Sequence, residues 1–118
     1  MPGLSIHVVD VSRGVVAAGM LVAVDFMAGG SAPKRIAEGR ISAKGTLDDP
    51  ALAVTLETGI YRAIFQVADY YRAEGVALPA VPFLDAVHYD FGIADPRQHY
   101  HLPFKCTPWG YSCFRGGA

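Results

Sequence analysis

The sequence is sparing with charge and with cysteine. Only 18% of its 118 residues are charged, and ten Lys and Arg nearly balance eleven Asp and Glu, for a net charge of −1. That balance supplies no electrostatic reason for a nucleic acid or an anionic membrane as partner. Two cysteines are too few to staple a scaffold of this length. No apolar run approaches the about 20 residues of a membrane span, and the N-terminus has no signal-peptide pattern. A cytoplasmic protein is therefore expected, with residues 1–118 forming one domain. There is no glycine-rich phosphate loop, no Ser-His-Asp order of known type and no paired carboxylate site. Low-complexity segments, internal repeats and linkers are absent too.

What is present is apolar residue in quantity, 52% of the chain, arranged in short alternating stretches between Gly, Pro and Asp signals. This pattern predicts an all-β sandwich. In residues 4–10, Leu4, Ile6 and Val8 turn inward and Ser5, His7 and Val9 outward. Residues 19–27 form a second strand with Met20, Val22, Val24 and Phe26 on one face, and residues 28–33 a loop. Strands follow at 35–42, 53–56 and 61–67, with Lys44-Gly45 as a turn. Residues 68–74 predict a helix stopped by Gly75. Val87, Tyr89, Phe91 and Ile93 then make a core face, with His88 and Asp90 pointing away.

The ending, His99 to Ala118, is the most informative stretch. Period-2 alternation puts Tyr100, Leu102, Phe104 and Cys106 on a core face, and His99, His101, Pro103 and Lys105 on the other. A Thr107-Pro108-Trp109-Gly110 turn leads into a last strand and an Arg-Gly-Gly tail. A purely structural strand has no need of two imidazoles and a lysine on one face. Two nearby imidazoles can hold a water, one taking its proton while the other orients or donates. From the residues alone, half-exposed strand histidines satisfied by solvent are the preferred reading. Cys106 and Cys113 share the core parity, so two buried thiols are expected rather than a nucleophile; whether they pair depends on a register that alternation does not give.

This ending resembles the C-terminus of the transthyretin-like family, whose enzymes are 5-hydroxyisourate hydrolases. That family ends in a His-Tyr-His-Val-Pro strand, a Pro-x-Gly-Tyr-Ser hairpin and a terminal Tyr-Arg-Gly-Ser. Leu4-Ser5-Ile6-His7-Val8-Val9-Asp10 with Ser12-Arg13-Gly14 is similar to its opening, and Gly59-Ile60-Tyr61-Arg62 and Asp69-Tyr70-Tyr71 match its middle. The resemblance implies a two-sheet sandwich of about eight strands with one short helix, and a homotetramer built as a dimer of dimers. It also implies sites in the channel between facing sheets, a small-molecule substrate and no cofactor or metal. His99, His101 and His7 would face alike, but no Cys, Asp or Glu on that face completes a metal set.

The matching positions name a site. His7 and His101 correspond to the family's two acid–base histidines, while His99 is expected to be structural or at the rim. The family's Asp-Gly-Arg reads Lys44-Gly45-Thr46, so Thr46 stands where a substrate-binding guanidinium would be. The terminal tetrapeptide reads Phe114-Arg115-Gly116-Gly117, without its tyrosine and serine hydroxyls. Lys105 occupies an otherwise apolar strand position on the histidine side. Thr46, Lys105, Ser112, Phe114 and Arg115 are the expected substrate-binding residues. The resulting expectation is a diverged, cofactor-free hydrolase-like enzyme acting on a small cyclic polar molecule. The alternatives are a standard 5-hydroxyisourate hydrolase of urate catabolism and a non-enzymatic binder of transthyretin type.

Overall fold

In the computed structural model, which describes residues 2–117, alternation of inward apolar and outward side chains resolves into two four-stranded sheets. The strands are β1 (Gly3–Asp10), β2 (Val15–Val16), β3 (Leu21–Phe26), β4 (Lys34–Arg40), β5 (Gly59–Gln66), β6 (Ala86–Ile93), β7 (His99–Thr107) and β8 (Gly110–Cys113). One sheet runs β2-β1-β7-β8 and the other β4-β3-β5-β6. β1 and β7 lie parallel, and every other pairing is antiparallel. The fold is the all-β, transthyretin-like sandwich expected from the sequence.

The core is made by the inward positions of both sheets. Ile6 and Val8 of β1, Leu102 and Phe104 of β7, and Val22, Val24 and Phe65 of the opposite sheet are buried. The Phe65 and Phe104 rings stack across the two sheets at 3.8 Å between centroids. The one α-helix among the described residues, α1 (Val67–Ala73), buries Val67, Ala68, Tyr70 and Tyr71. Gly75, at φ +80°, ends the turn that follows it. Among the described residues, no helix is long and apolar enough to cross a membrane.

Two elements differ from the sequence-based expectation. Residues 53–56 are not a strand. A 3-10 turn at Pro50–Leu52 precedes them, because Asp49 caps it by accepting from the Ala51 N–H and Pro50 suits its first turn. Leu52 and Leu56 enter the core, while Val54 within the expected strand is exposed, so both the geometry and most of the burial differ from the expectation. The eighth strand is instead Val15–Val16, too short for alternation to declare, which folds back on Val9 and Asp10.

That return is held by a buried carboxylate. Asp10 is fully buried and takes hydrogen bonds from Ser12 (2.6 Å), Arg13 Nε (2.8 Å), Tyr71 (2.7 Å) and Tyr70 (3.1 Å). Arg13 continues to Glu74 just past the helix. Burial alone pushes the Asp10 carboxyl upward, but the hydrogen bonds from Ser12, Arg13, Tyr71 and Tyr70 outweigh it and hold the group below its ordinary value. The loop after β1, helix α1 and β7 are thereby tied to one point.

Candidate active site

Parallel pairing decides which side chains share the outer face of the β2-β1-β7-β8 sheet. Ser5 lies opposite His101, His7 opposite Pro103 and Val9 opposite Lys105. Directly paired residues point to the same side, so the outward positions of β1 and β7 merge into one surface. Thr46 forms a bridge with His7 on the flank of β1 that β2 also occupies further along. On the other flank Ser112 of β8 pairs with Lys105. Lys105 Nζ sits 5.8 Å over the Phe114 ring, a distance at which a cation is attracted to the π face. His7, His101, Thr46, Lys105, Ser112 and Phe114 are therefore brought to a common face from four separate stretches of chain.

Two glycines wall the imidazoles. A Cβ on Gly45 would fall 2.7 Å from His7 Nε2, and Gly45 has φ +88°, where side chains are strained in any case. A Cβ on Gly116 would fall 2.7 Å from His101 Cδ2. The Gly116 N–H donates to the His101 carbonyl at 2.7 Å, which lays the C-terminal segment across that ring. Gly45→Ala is expected to lower stability by about 1–2 kcal/mol through backbone strain and to displace the His7 ring. Urea unfolding, together with the His7 ring resonances, checks both effects; unchanged His7 resonances would show that the wall does not hold the ring.

His101 is half-buried. Burial, then the neighbouring charges of His7 and His99, push its imidazole below the ordinary histidine value, with a smaller opposing effect from the Ser5 backbone. A neutral imidazole at neutral pH is the form that can accept a proton. Ser5 Oγ lies 2.6 Å from His101 Nδ1 and 2.8 Å from His99 Nε2. His99 is exposed, as expected of a rim residue, and is joined to the histidine face through Ser5. Ser5 was not among the residues expected at the site; its outward parity beside His7 was the available signal, but only the strand register places it between two rings.

Thr46 donates to Asp48 Oδ1 at 2.7 Å, and its oxygen is 3.1 Å from Ser42 Oγ. A groove of about 460 Å³ runs along this flank, lined in part by Ser5, Thr46, Asp48 and Asp49. Next to His7 the chain thus presents hydroxyl and carboxylate oxygens.

Arg115 lies in the tail just past β8. Its guanidinium stacks over the Tyr100 ring at 4.0 Å and donates to Gln98 Oε1 at 2.9 Å. There it fastens the tail and lines a small cavity with Tyr100 and His101. The cysteines are settled by register. Cys113 lies opposite Phe104 and Cys106 opposite Tyr111, and both thiols are free. Burial pushes Cys106 up to about 11 and Cys113 up to about 12, so neither offers a thiolate.

The model of the HIUase/Transthyretin family matches residues 4–116. The chain belongs to this family. Within it, the chain is 38% identical over 117 residues to the 5-hydroxyisourate hydrolase of Ralstonia nicotianae, covering 98% of this chain and 99% of that one. Among solved structures, (S)-allantoin synthase superimposes with a TM-score of 0.88 at 28% identity, spanning 98% of this chain and 43% of that one. The 5-hydroxyisourate hydrolase of Klebsiella pneumoniae superimposes with a TM-score of 0.77 at 28% identity, spanning 99% of this chain and 100% of that one. This HIUase/Transthyretin chain carries its histidine face on the sheet that joins its two ends.

Proposed function

We propose that this chain is a cofactor-free, 5-hydroxyisourate hydrolase-like enzyme whose acid–base pair is His7 and His101. One observation carries the reading: the two imidazoles share one sheet face, each walled by a glycine, in a chain 38% identical over its length to such a hydrolase. In the reaction, water adds to an acyl carbon of the six-membered ring, the C–N bond breaks, and the nitrogen leaves with a proton. Neutral His101 takes the proton from the attacking water. His7 orients that water or returns a proton to the leaving nitrogen. Lys105 supplies positive charge to the substrate's oxygens, Ser112 and Thr46 hydrogen-bond it, and the Phe114 ring stacks on its plane. Arg115 contributes by holding the tail against Tyr100.

The surroundings support a diverged member. Thr46 replaces the guanidinium of the family pattern, and its proton is committed to Asp48, so the flank beside His7 has no planar cationic fork. A different cyclic, nitrogen-bearing substrate, or the same one held less tightly, suits such a flank. The same commitment of Thr46 favours a second reading, a small-molecule binder without turnover. In a homotetramer, which we propose as the working form, the histidine face would be covered by that of another copy.

The test is the ultraviolet decay of freshly generated 5-hydroxyisourate with wild-type protein beside His101→Ala. Fast decay abolished by the substitution supports the hydrolase. Decay at the spontaneous rate in both rejects this substrate, and a His101→Ala effect on affinity alone supports the binder. Lys105→Leu is expected to weaken transition-state stabilisation by on the order of tenfold or more in kcat/KM; an unchanged value would remove Lys105 from the substrate-binding set.

A further inference from the structure

The Ser5 hydroxyl stands between two imidazoles of β7, 2.6 Å from His101 Nδ1 and 2.8 Å from His99 Nε2. A hydroxyl has one proton to give and lone pairs to receive with. Placed between two ring nitrogens, it donates to one and accepts from the other. The far side of His99 decides the direction. Its Nδ1 faces the Pro2 carbonyl at 3.5 Å, a group that can only accept. In neutral His99 the proton therefore sits on Nδ1, and Nε2 carries the lone pair. Ser5 donates to that lone pair and is left with oxygen lone pairs toward His101, so His101 Nδ1 must bring the proton. Neutral His101 then has its own lone pair on Nε2, the nitrogen that Ser5 does not touch.

We propose that Ser5, backed by His99, is a positioning residue that holds His101 in its Nδ1–H tautomer, so that Nε2 is the proton-accepting atom. The inference rests on the reading of His101 as a proton acceptor, and extends it by assigning the atom and the residue that selects it. The chain of donors runs in one direction, from His101 Nδ1–H to Ser5 Oγ–H to His99 Nε2, and from His99 Nδ1–H to the Pro2 carbonyl. When Nε2 takes a proton from water, the resulting imidazolium keeps its Nδ1–H bond to Ser5, and nothing in the chain has to rearrange. The opposite tautomer would present an N–H at Nε2, which cannot accept a proton. Ser5 thus does for His101 what a buried carboxylate does for the histidine of a serine-protease triad, with a neutral hydroxyl in place of the charge.

The experiment uses the full chain labelled with ¹⁵N-histidine and two-bond ¹H–¹⁵N correlation spectra at a pH where His101 is neutral. In the wild type, His101 is expected to show a protonated Nδ1 and an unprotonated Nε2. Ser5→Ala is expected to lose this single tautomer, and Ser5→Thr, which keeps the hydroxyl, to retain it. Losing the orienting carboxylate of a triad lowers kcat by about 10⁴; for a neutral hydroxyl the expected loss in Ser5→Ala is on the order of tenfold, with KM little changed and recovery in Ser5→Thr. A wild-type His101 carrying its proton on Nε2 would overturn the proposal whether or not any variant folds. So would a folded Ser5→Ala with an unchanged tautomer. A wild type with the Nδ1–H tautomer that does not turn over 5-hydroxyisourate would support the positioning role and reject only the substrate.

Discussion

His101→Ala is expected to lower the rate of 5-hydroxyisourate decay by about 10²–10⁴, the contribution typical of a positioned acid–base group. The argument is geometric first. His101 is on the shared outer face of β1 and β7, its Nδ1 is engaged by Ser5, and the Gly116 backbone closes over its ring. Alanine removes the proton acceptor and leaves those walls in place. His88→Ala is the matched control, because His88 is exposed on β6 in the other sheet; its rate should equal wild type. The pH profile provides a second readout. Burial, His7 and His99 depress the His101 value from 6.5, so the neutral form persists to lower pH than for an ordinary histidine. The wild-type rate should therefore hold through neutral pH and fall only as pH drops through the depressed value. A variant that keeps more than half of the catalysed rate would remove His101 from the chemistry.

Asp10→Ala is expected to be the most destabilising single change, by about 2–4 kcal/mol. The substitution leaves the buried hydroxyls of Tyr70 and Tyr71 without their acceptor and uncouples Arg13. Because 1 kcal/mol moves the midpoint of a chain this size by a few degrees, a fall in Tm on the order of 10 °C should accompany it. The pH dependence follows from the direction of the shift. The Asp10 carboxyl is held below 3.8 in the folded protein, so the unfolded chain binds its proton first as pH falls. The stabilisation is fully present above the unfolded value, near 4, and is lost as pH falls through the folded one. Urea midpoints of wild type and Asp10→Asn should therefore be well separated at pH 7 and converge in acid. A separation that does not change with pH would mean that the charge of Asp10 contributes nothing, and that packing alone explains the loss.

The elements that the sequence declares most clearly are those whose burial alternates over six residues or more. β1, β5, β6 and β7 have the expected faces, and α1 runs Val67–Ala73 against an expectation of 68–74. The failures have a common cause. Residues 50–56 carry buried leucines without alternation: a capped 3-10 turn buries Leu52, and irregular chain buries Leu56. Val15–Val16 is two residues long and exists only because β1 lies beside it. Asp10 reads only as the last residue of the first strand; that four donors converge on it depends on Tyr70 and Tyr71, about 60 residues away.

The candidate site divides the same way. That His7 and His101 lie on the outward parity of their strands follows from the local chain, because successive side chains on a strand must alternate. The resemblance named the same two histidines from motifs at both ends. Which residue stands opposite which is a different kind of information, since it depends on how strands more than 90 positions apart slide against each other. The observed register puts Ser5, not His7, directly opposite His101 and sets Cys113 against Phe104. It makes a hydroxyl the link between two imidazoles, keeps the two thiols apart, and lets the tail turn Arg115 onto Tyr100. Alternation and motif, both local properties of the chain, were enough for the fold and the histidine face. The partners of those histidines were decided only when distant strands paired, because register is a long-range choice that no single strand carries.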